Sequence, residues 1–435
     1  MKYYSTENRL EVASLQEAVV KGLAPDKGLY MPQEINSLPK SFFDNISSMT
    51  LQEIAQVVAQ SFFGEDIPSD SLDTIASEAL NFDIPLVEVE KDIYALELFH
   101  GPTFAFKDVG ARFMARMLSY FVKEQNQETV NVLVATSGDT GSAVANGFLD
   151  VDGIQVFVLY PSGKVSDIQE AQFTTLGHNI TAIEVDGTFD DCQALVKEAF
   201  MDKDLNSKLN LTSANSINVA RFLPQSFYYF YAYAQLLKLG VDNKVIFSVP
   251  SGNLGNITAG LFAKHMGLPI ERFVSANNSN DIFYNYLKDG KYLPHPSIQT
   301  IANAMDVGDP SNFARILDLY NKSHNNISAD ISGYRYSDKE ISNIIKKVFN
   351  ESGYLLDPHG ACAYLAAKAD KKEGETAIFL ATAHPAKFKS VVEECIEQSI
   401  EVPNKLLEFM EKEKTTKKIS TKYEEFADIL ISFGS

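Results

Sequence analysis

Apolar positions in this chain follow two periods that take turns, and the alternation sets in near residue 82. Short apolar runs bounded by turn residues predict buried strands: NVLVAT at 131–136, IQVFVLYP at 154–161, NITAIEV at 179–185, KVIFSVP at 244–250, RFVSA at 272–276 and TAIFLATAHP at 376–385. Between them GSAVANGFL, KVSDIQEAQFTTLG and DDCQALVKEAFMD carry the 3.6-residue period of helices. A strand-helix repeat of this kind implies parallel sheets covered by helices on both faces, an α/β fold. Residues 1–80 read differently. There SLQEAVVKGL and LQEIAQVVAQSFF are amphipathic and flank a proline-rich stretch, which predicts a small, self-contained helical leading domain. The aromatic run that starts at Phe227 is too short and too rich in tyrosine to cross a membrane and reads as a buried helix, and the lysine cluster near residues 411–418 reads as exposed.

Length and charge narrow the options. At 435 residues the chain can build two or three cores, and a formal charge of −19 argues against a nucleic-acid partner, whose phosphates need a basic face. No run approaches a membrane span, and no signal-peptide core follows the N-terminus. Cys192, Cys362 and Cys395 lie far apart with no metal-ligand spacing, which suits a reducing compartment, the cytoplasm by default. The seven histidines form no metal pattern either. Any anionic ligand must therefore be held by local donors.

Four segments offer such chemistry. Lys107 follows Phe104 and Phe106 and directly precedes an amphipathic stretch, so a partly desolvated amine there is a nucleophile toward carbonyl carbon; a surface lysine is the plain alternative. In SVPSGNLGNITAG, Gly252 and Gly255 allow close backbone approach, Asn253 and Asn256 tolerate unusual dihedrals, and a helix start near Asn256 adds free N–H groups. A phosphate fits, and so does an ordinary turn. ATSGDTGSAV sets hydroxyls and glycines at another helix start, either a carboxylate clamp or a simple N-cap. SANSINVARFLPQ brings Asn215, Ser216 and Arg221 together, a phosphate fork or a surface ion-pair partner. Neither GxxxxGK[ST] nor GxGxxG occurs, which weakens a nucleotide reading and a kinase.

Taken with STEN, GLYMP, FHGPTFAFKD, AMDVGDPSNFARI, DPHGA and ATAHPAKF, these segments resemble, almost end to end, the threonine synthases. That family uses pyridoxal 5'-phosphate and shares its fold with the tryptophan synthase β subunit, the cysteine synthases and the serine/threonine dehydratases. The resemblance implies a threonine synthase-type leading domain at 1–80 and a catalytic body at 81–435, its two three-layer subdomains dividing near 240 around the active-site cleft. It further implies that Lys107 is the Schiff-base lysine, that Gly252, Asn253, Leu254, Gly255 and Asn256 cradle the cofactor phosphate, and that Thr382 meets the pyridine nitrogen. Ser137, Gly138, Asp139 and Thr140 would receive the substrate carboxylate, and Asn215, Ser216 and Arg221 its phosphate. The chain departs from the commoner family pattern at Lys27, at Ala302–Asn303–Ala304 and at Gly360, none of which is in the implied catalytic set.

The activity so implied is that of a carbon–oxygen lyase of threonine biosynthesis, acting on O-phospho-L-homoserine and water. A dehydratase or cysteine-synthase-like β-elimination on the same fold is the nearest rival and gives no reason for Arg221 beside NSIN; a non-catalytic phosphate binder gives none for Lys107. Monomer and homodimer both remain open.

Overall fold

The computed structural model describes residues 1–125 and 129–433. Three short strands, β1 (Lys2–Ser5), β2 (Val12–Ser14) and β3 (Tyr30–Pro32), form an antiparallel sheet in the order β2-β1-β3. The leading segment is thus not helical alone: runs of three or four residues are too short to show a period. Its helices follow local signals. Helix Leu51–Phe63 starts at a capping box of Thr50 and Glu53, and helix Leu15–Lys21 runs from the Ser14 cap to Gly22, whose φ of 68° needs no Cβ.

This segment is not self-contained either. Tyr3 is buried and donates to the Phe62 carbonyl, while Val19 O accepts from Asn218 Nδ2 at 2.8 Å and Tyr30 O from Arg315 Nε at 3.2 Å, so it shares one core with the body.

The body holds β4 (Leu86–Glu90), β5 (Ile93–Glu97), β6 (Val130–Ala135), β7 (Ile154–Pro161), β8 (Ile180–Val185), β9 (Asn210–Ser213), β10 (Lys244–Pro250), β11 (Ile270–Asn277), β12 (Ile331–Arg335), β13 (Glu375–Ala381) and β14 (Lys417–Ile419). They make two sheets: β12-β11-β10-β13-β5-β4, parallel except for β4, and β14-β8-β7-β6-β9, parallel throughout. The chain weaves between them, since β4, β5 and β14 cross the division expected near residue 240. Strand alternation feeds two cores at once. Val130, Val132 and Val134 enter the central core and Leu133 and Ala135 an outer one; β13 likewise sends Ile378 and Leu380 inward and Ala377 and Phe379 outward. Helices cover both faces of each sheet, and the strand ends of both sheets meet at one cleft.

No helix among the described residues is long and apolar enough to cross a membrane. The lysine cluster is exposed as expected, but its end, Lys417 and Lys418, pairs together with the buried Ile419 as β14.

Candidate active site

Lys107 is the first residue of helix Lys107–Gln125, at the end of a loop that leaves β5. That loop is strained: Phe104 sits at φ 57°, a left-handed conformation that residues other than glycine and asparagine rarely adopt. It turns the chain so that Phe106 N–H meets the Thr382 carbonyl at 2.9 Å and ties the lysine to the end of β13. Lys107 Nζ lies 5.5 Å from the centroid of the Phe106 ring. Burial pulls the amine down to about 8; Asp139 acts against this, and Lys387 and Arg221 act with it.

A cleft of about 500 Å³ opens over the amine. Lys107, Ser137, Thr140, Asn215, Ser216, Arg221, Thr382 and the whole Gly252–Asn256 loop line it, so five segments distant in sequence converge. Gly138 and Asp139 are not in that lining. Gly138, at φ 142°, caps helix Asp139–Phe148, and the Asp139 carboxylate turns inward to Lys387 Nζ at 2.7 Å and Gln169 Nε2 at 2.8 Å. The expected clamp therefore presents Ser137 and Thr140, while Thr136 Oγ1 holds the loop from within, accepting from the Gly138 and Gly141 N–H groups.

The loop after β10 is built differently from its sequence reading. The left-handed residue is Leu254, at φ 60°, and not one of the asparagines. The glycines serve close approach instead: a Cβ on Gly252 would stand 2.8 Å from Ala304 O, and one on Gly255 would stand 3.0 Å from Ser216 Cβ. Asn253 accepts from the Ser311 N–H at 2.6 Å and donates to Ser216 Oγ at 2.7 Å, which joins this loop to the Asn215–Arg221 segment. Helix Gly255–His265 begins there, its first-turn N–H groups free of intrahelical partners.

Arg221 is only 3% exposed and donates from Nη1 to the Lys107 carbonyl at 2.9 Å. It forms no ion pair among the described residues. Burial draws its guanidinium down to about 10, with Asp108 opposing. A charged fork with no counterion at a cleft wall is a seat for an anion.

Several lining residues were given no role by the sequence, although His359, Asn303 and Asp306 lie in or beside the motifs quoted above. His359 accepts the Ala304 N–H at Nε2 (3.1 Å) and faces Asp357 through Nδ1 (2.6 Å), so it props the segment that overlies Gly252. Burial lifts the Asp306 carboxyl to about 6 in spite of hydrogen bonds from Thr300 and Asn278. Gln225 and Asn303 each keep a buried carbonyl oxygen without a partner at the cleft. Single polar residues inside apolar or loop segments carry no period that would mark them.

The donor set suits a phosphorylated pyridine aldehyde. Asn256 Nδ2 is buried and unpartnered beside the helix start, the glycines leave a cradle that a Cβ would fill, and the Thr382 hydroxyl has no hydrogen-bond partner among the described residues. Two parallel-dominated sheets meeting over such a lysine define a pyridoxal-phosphate-dependent enzyme, and the family model "Pyridoxal-phosphate dependent enzyme" matches residues 80–382. Models for the threonine synthase N terminus and C-terminal region match residues 2–80 and 360–430. The chain belongs to the threonine synthase family. It is 44% identical over 406 residues to threonine synthase of Haemophilus influenzae, with 93% of this chain and 94% of that one covered. The crystal structure of threonine synthase from Escherichia coli superposes with a TM-score of 0.93 at 39% identity, covering 100% of both chains. The pyridoxal-phosphate-bound threonine synthase from Brucella melitensis also gives 0.93, at 34% identity, covering 100% of this chain and 99% of that one.

Proposed function

We propose that this enzyme converts O-phospho-L-homoserine and water to L-threonine and inorganic phosphate. The observation that carries the substrate is Arg221, a buried guanidinium with no ion pair among the described residues, beside Ser216 and on the same cleft as Lys107. Net change at the substrate is loss of the γ phosphate, gain of the water oxygen at the β carbon and of a proton at γ. Bound cofactor supplies an electron sink conjugated to the substrate nitrogen.

The lining residues then divide the work. The amine of Lys107, with a pKa of about 8, keeps a neutral fraction near pH 7 and takes the α proton. Ser137 and Thr140, with the N–H groups at their helix start, hold the substrate carboxylate; Gly138 and Asp139 serve that loop from behind. Arg221, Ser216 and Asn215 hold the γ phosphate and so aim its ester bond. Gly252 to Asn256 hold the cofactor phosphate, and the neutral Thr382 hydroxyl meets the pyridine nitrogen without forcing a charge on it. Residues 1–80 and 81–435 act as leading domain and catalytic body. Three unpaired thiols suit a reducing compartment, and we place the enzyme in the cytoplasm.

Incubation with phosphohomoserine tests the substrate: phosphate and threonine appear in equal amounts. Deamination of serine with no action on phosphohomoserine would replace this reading with the β-eliminating one.

The loop assignment has its own test. Gly255→Val drives a branched side chain into Ser216 and Asn312 and weakens cofactor binding about tenfold or more, roughly 1.4 kcal/mol. Leu254→Gly removes the left-handed strain and leaves that affinity within about twofold, at a cost in folding stability from lost burial. Cofactor titration of both apoproteins measures this, and equal losses would count against the cradle.

A further inference from the structure

Lys387 is fully buried on the turn Pro385–Phe388 that follows β13 of the larger sheet. Its Nζ pairs with Asp139 Oδ1 at 2.7 Å, at the start of the helix that follows β6 of the other sheet. The same Nζ donates to the Thr103 carbonyl at 2.8 Å, in the loop that carries Lys107. One ammonium therefore pins three segments that converge under the cleft. Gln169 Nε2 shares Oδ1, whereas Oδ2 of Asp139 has no hydrogen-bond donor among the described residues. A buried carboxylate with an open oxygen attracts the next cation, and Lys107 is within its field.

We infer that Lys387 is a positioning residue for Lys107: by pairing with Asp139 in a buried bridge between the two sheets, it keeps that carboxylate from capturing the Lys107 ammonium. The inference rests on Lys107 being the cofactor lysine. Capture of an aldehyde needs the neutral amine, whose nitrogen attacks the carbonyl carbon; both amine protons leave with the carbonyl oxygen as water while the C=N bond forms. An ion pair with Asp139 would withhold the lone pair.

The charges bearing on Lys107 agree with this. Asp139 raises its proton affinity, and Lys387 and Arg221 lower it; Asp108 next to it is occupied by the N–H and hydroxyl of Thr103. His359 and Asp306 also line the cleft, and neither is among the groups that shift Lys107. Burial works to raise the Asp139 carboxyl, but Lys387, Lys107 and the Gln169 bond outweigh it and hold it well below the ordinary carboxylate range. Removing Lys387 leaves Lys107 as the remaining cation for that charge, so its affinity for a proton rises.

The test is the rate at which apoprotein captures pyridoxal 5'-phosphate, followed by the visible absorption of the C=N product from about pH 6 to about pH 10. In the wild type the rate climbs through a midpoint of about 8. In Lys387→Met the midpoint moves up by about one unit, which slows capture about tenfold at pH 7. In Asp139→Asn it moves down, and in the double variant it falls between the two singles. Lys387→Gln, which still hydrogen-bonds Thr103, moves the midpoint in the same upward direction and serves where Met does not fold. A purely structural bridge would lower Tm in these variants and leave the midpoint in place, and that result overturns the inference. Borohydride reduction and peptide mapping separate the two readings: label on Lys107 with an unmoved midpoint defeats the role of Lys387 alone, whereas label on another lysine defeats the cofactor assignment and this inference with it.

Discussion

Lys107→Ala protein folds, binds the cofactor without a covalent bond and loses turnover by roughly 10³-fold or more. The fold survives because only the side chain is removed. The backbone carbonyl of residue 107 still accepts from Arg221, and alanine is a good helix former at the first position of its helix. What disappears is a partly desolvated amine at the floor of the cleft, the group that both holds the aldehyde and moves the α proton in the proposed reaction. Borohydride treatment of the wild type fixes a pyridoxyl group that peptide mapping finds at Lys107, and the same treatment of the variant fixes none. Recovery of the label on a different lysine would refute the assignment.

Arg221→Ala lowers kcat/KM for phosphohomoserine by about 30- to 1000-fold, or about 2–4 kcal/mol, and leaves cofactor capture within a few-fold of the wild type. The magnitude follows from a buried charge-assisted contact that persists while the phosphate leaves. A chain of net charge −19 offers a dianion little general attraction, so a local fork has to supply it. Arg221→Lys keeps a charge and loses the planar fork, and its kcat/KM falls between the two. The alanine variant also vacates the Lys107 carbonyl, which makes the visible absorption of bound cofactor the control for local geometry. Unchanged kcat/KM would remove Arg221 from the substrate site.

Wherever the physics is local, the chain reads directly. Strand β7 (Ile154–Pro161) coincides with the apolar run IQVFVLYP, and helix Leu51–Phe63 with LQEIAQVVAQSFF, since both strand alternation and a capped amphipathic stripe are encoded by near neighbours. The converging loops were legible for the same reason: small residues after an apolar strand and before a helix mark a place where backbone donors are free. The hairpin β4-β5 and the sheet of β1, β2 and β3 were not, because runs of three to five residues are too short to show an alternation even where their partners lie nearby.

Side-chain direction around the cleft was likewise hidden. Asp139 follows a loop whose hydroxyls suggest a clamp, yet its carboxylate turns to Lys387, 248 positions away, a pairing between distant segments that no local spacing marks. Leu254 takes the left-handed turn between glycines that could have taken it at less strain, since Gly255 must instead give room to Ser216 and Gly252 to Ala304.

By itself, then, the amino-acid sequence determined the alternation of strands and helices, the lysine that follows two phenylalanines, the two loops at helix starts and the arginine fork, all of them features with a period or a spacing of a few residues. Only the tertiary structure decided which polar groups face the cleft and which turn away, that Arg221 forms no ion pair among the described residues, and that Lys387 bridges the two sheets beneath Lys107. Those outcomes depend on burial and charge pairing between distant segments, where desolvation makes each unpaired group costly and the closest available partner decides its orientation.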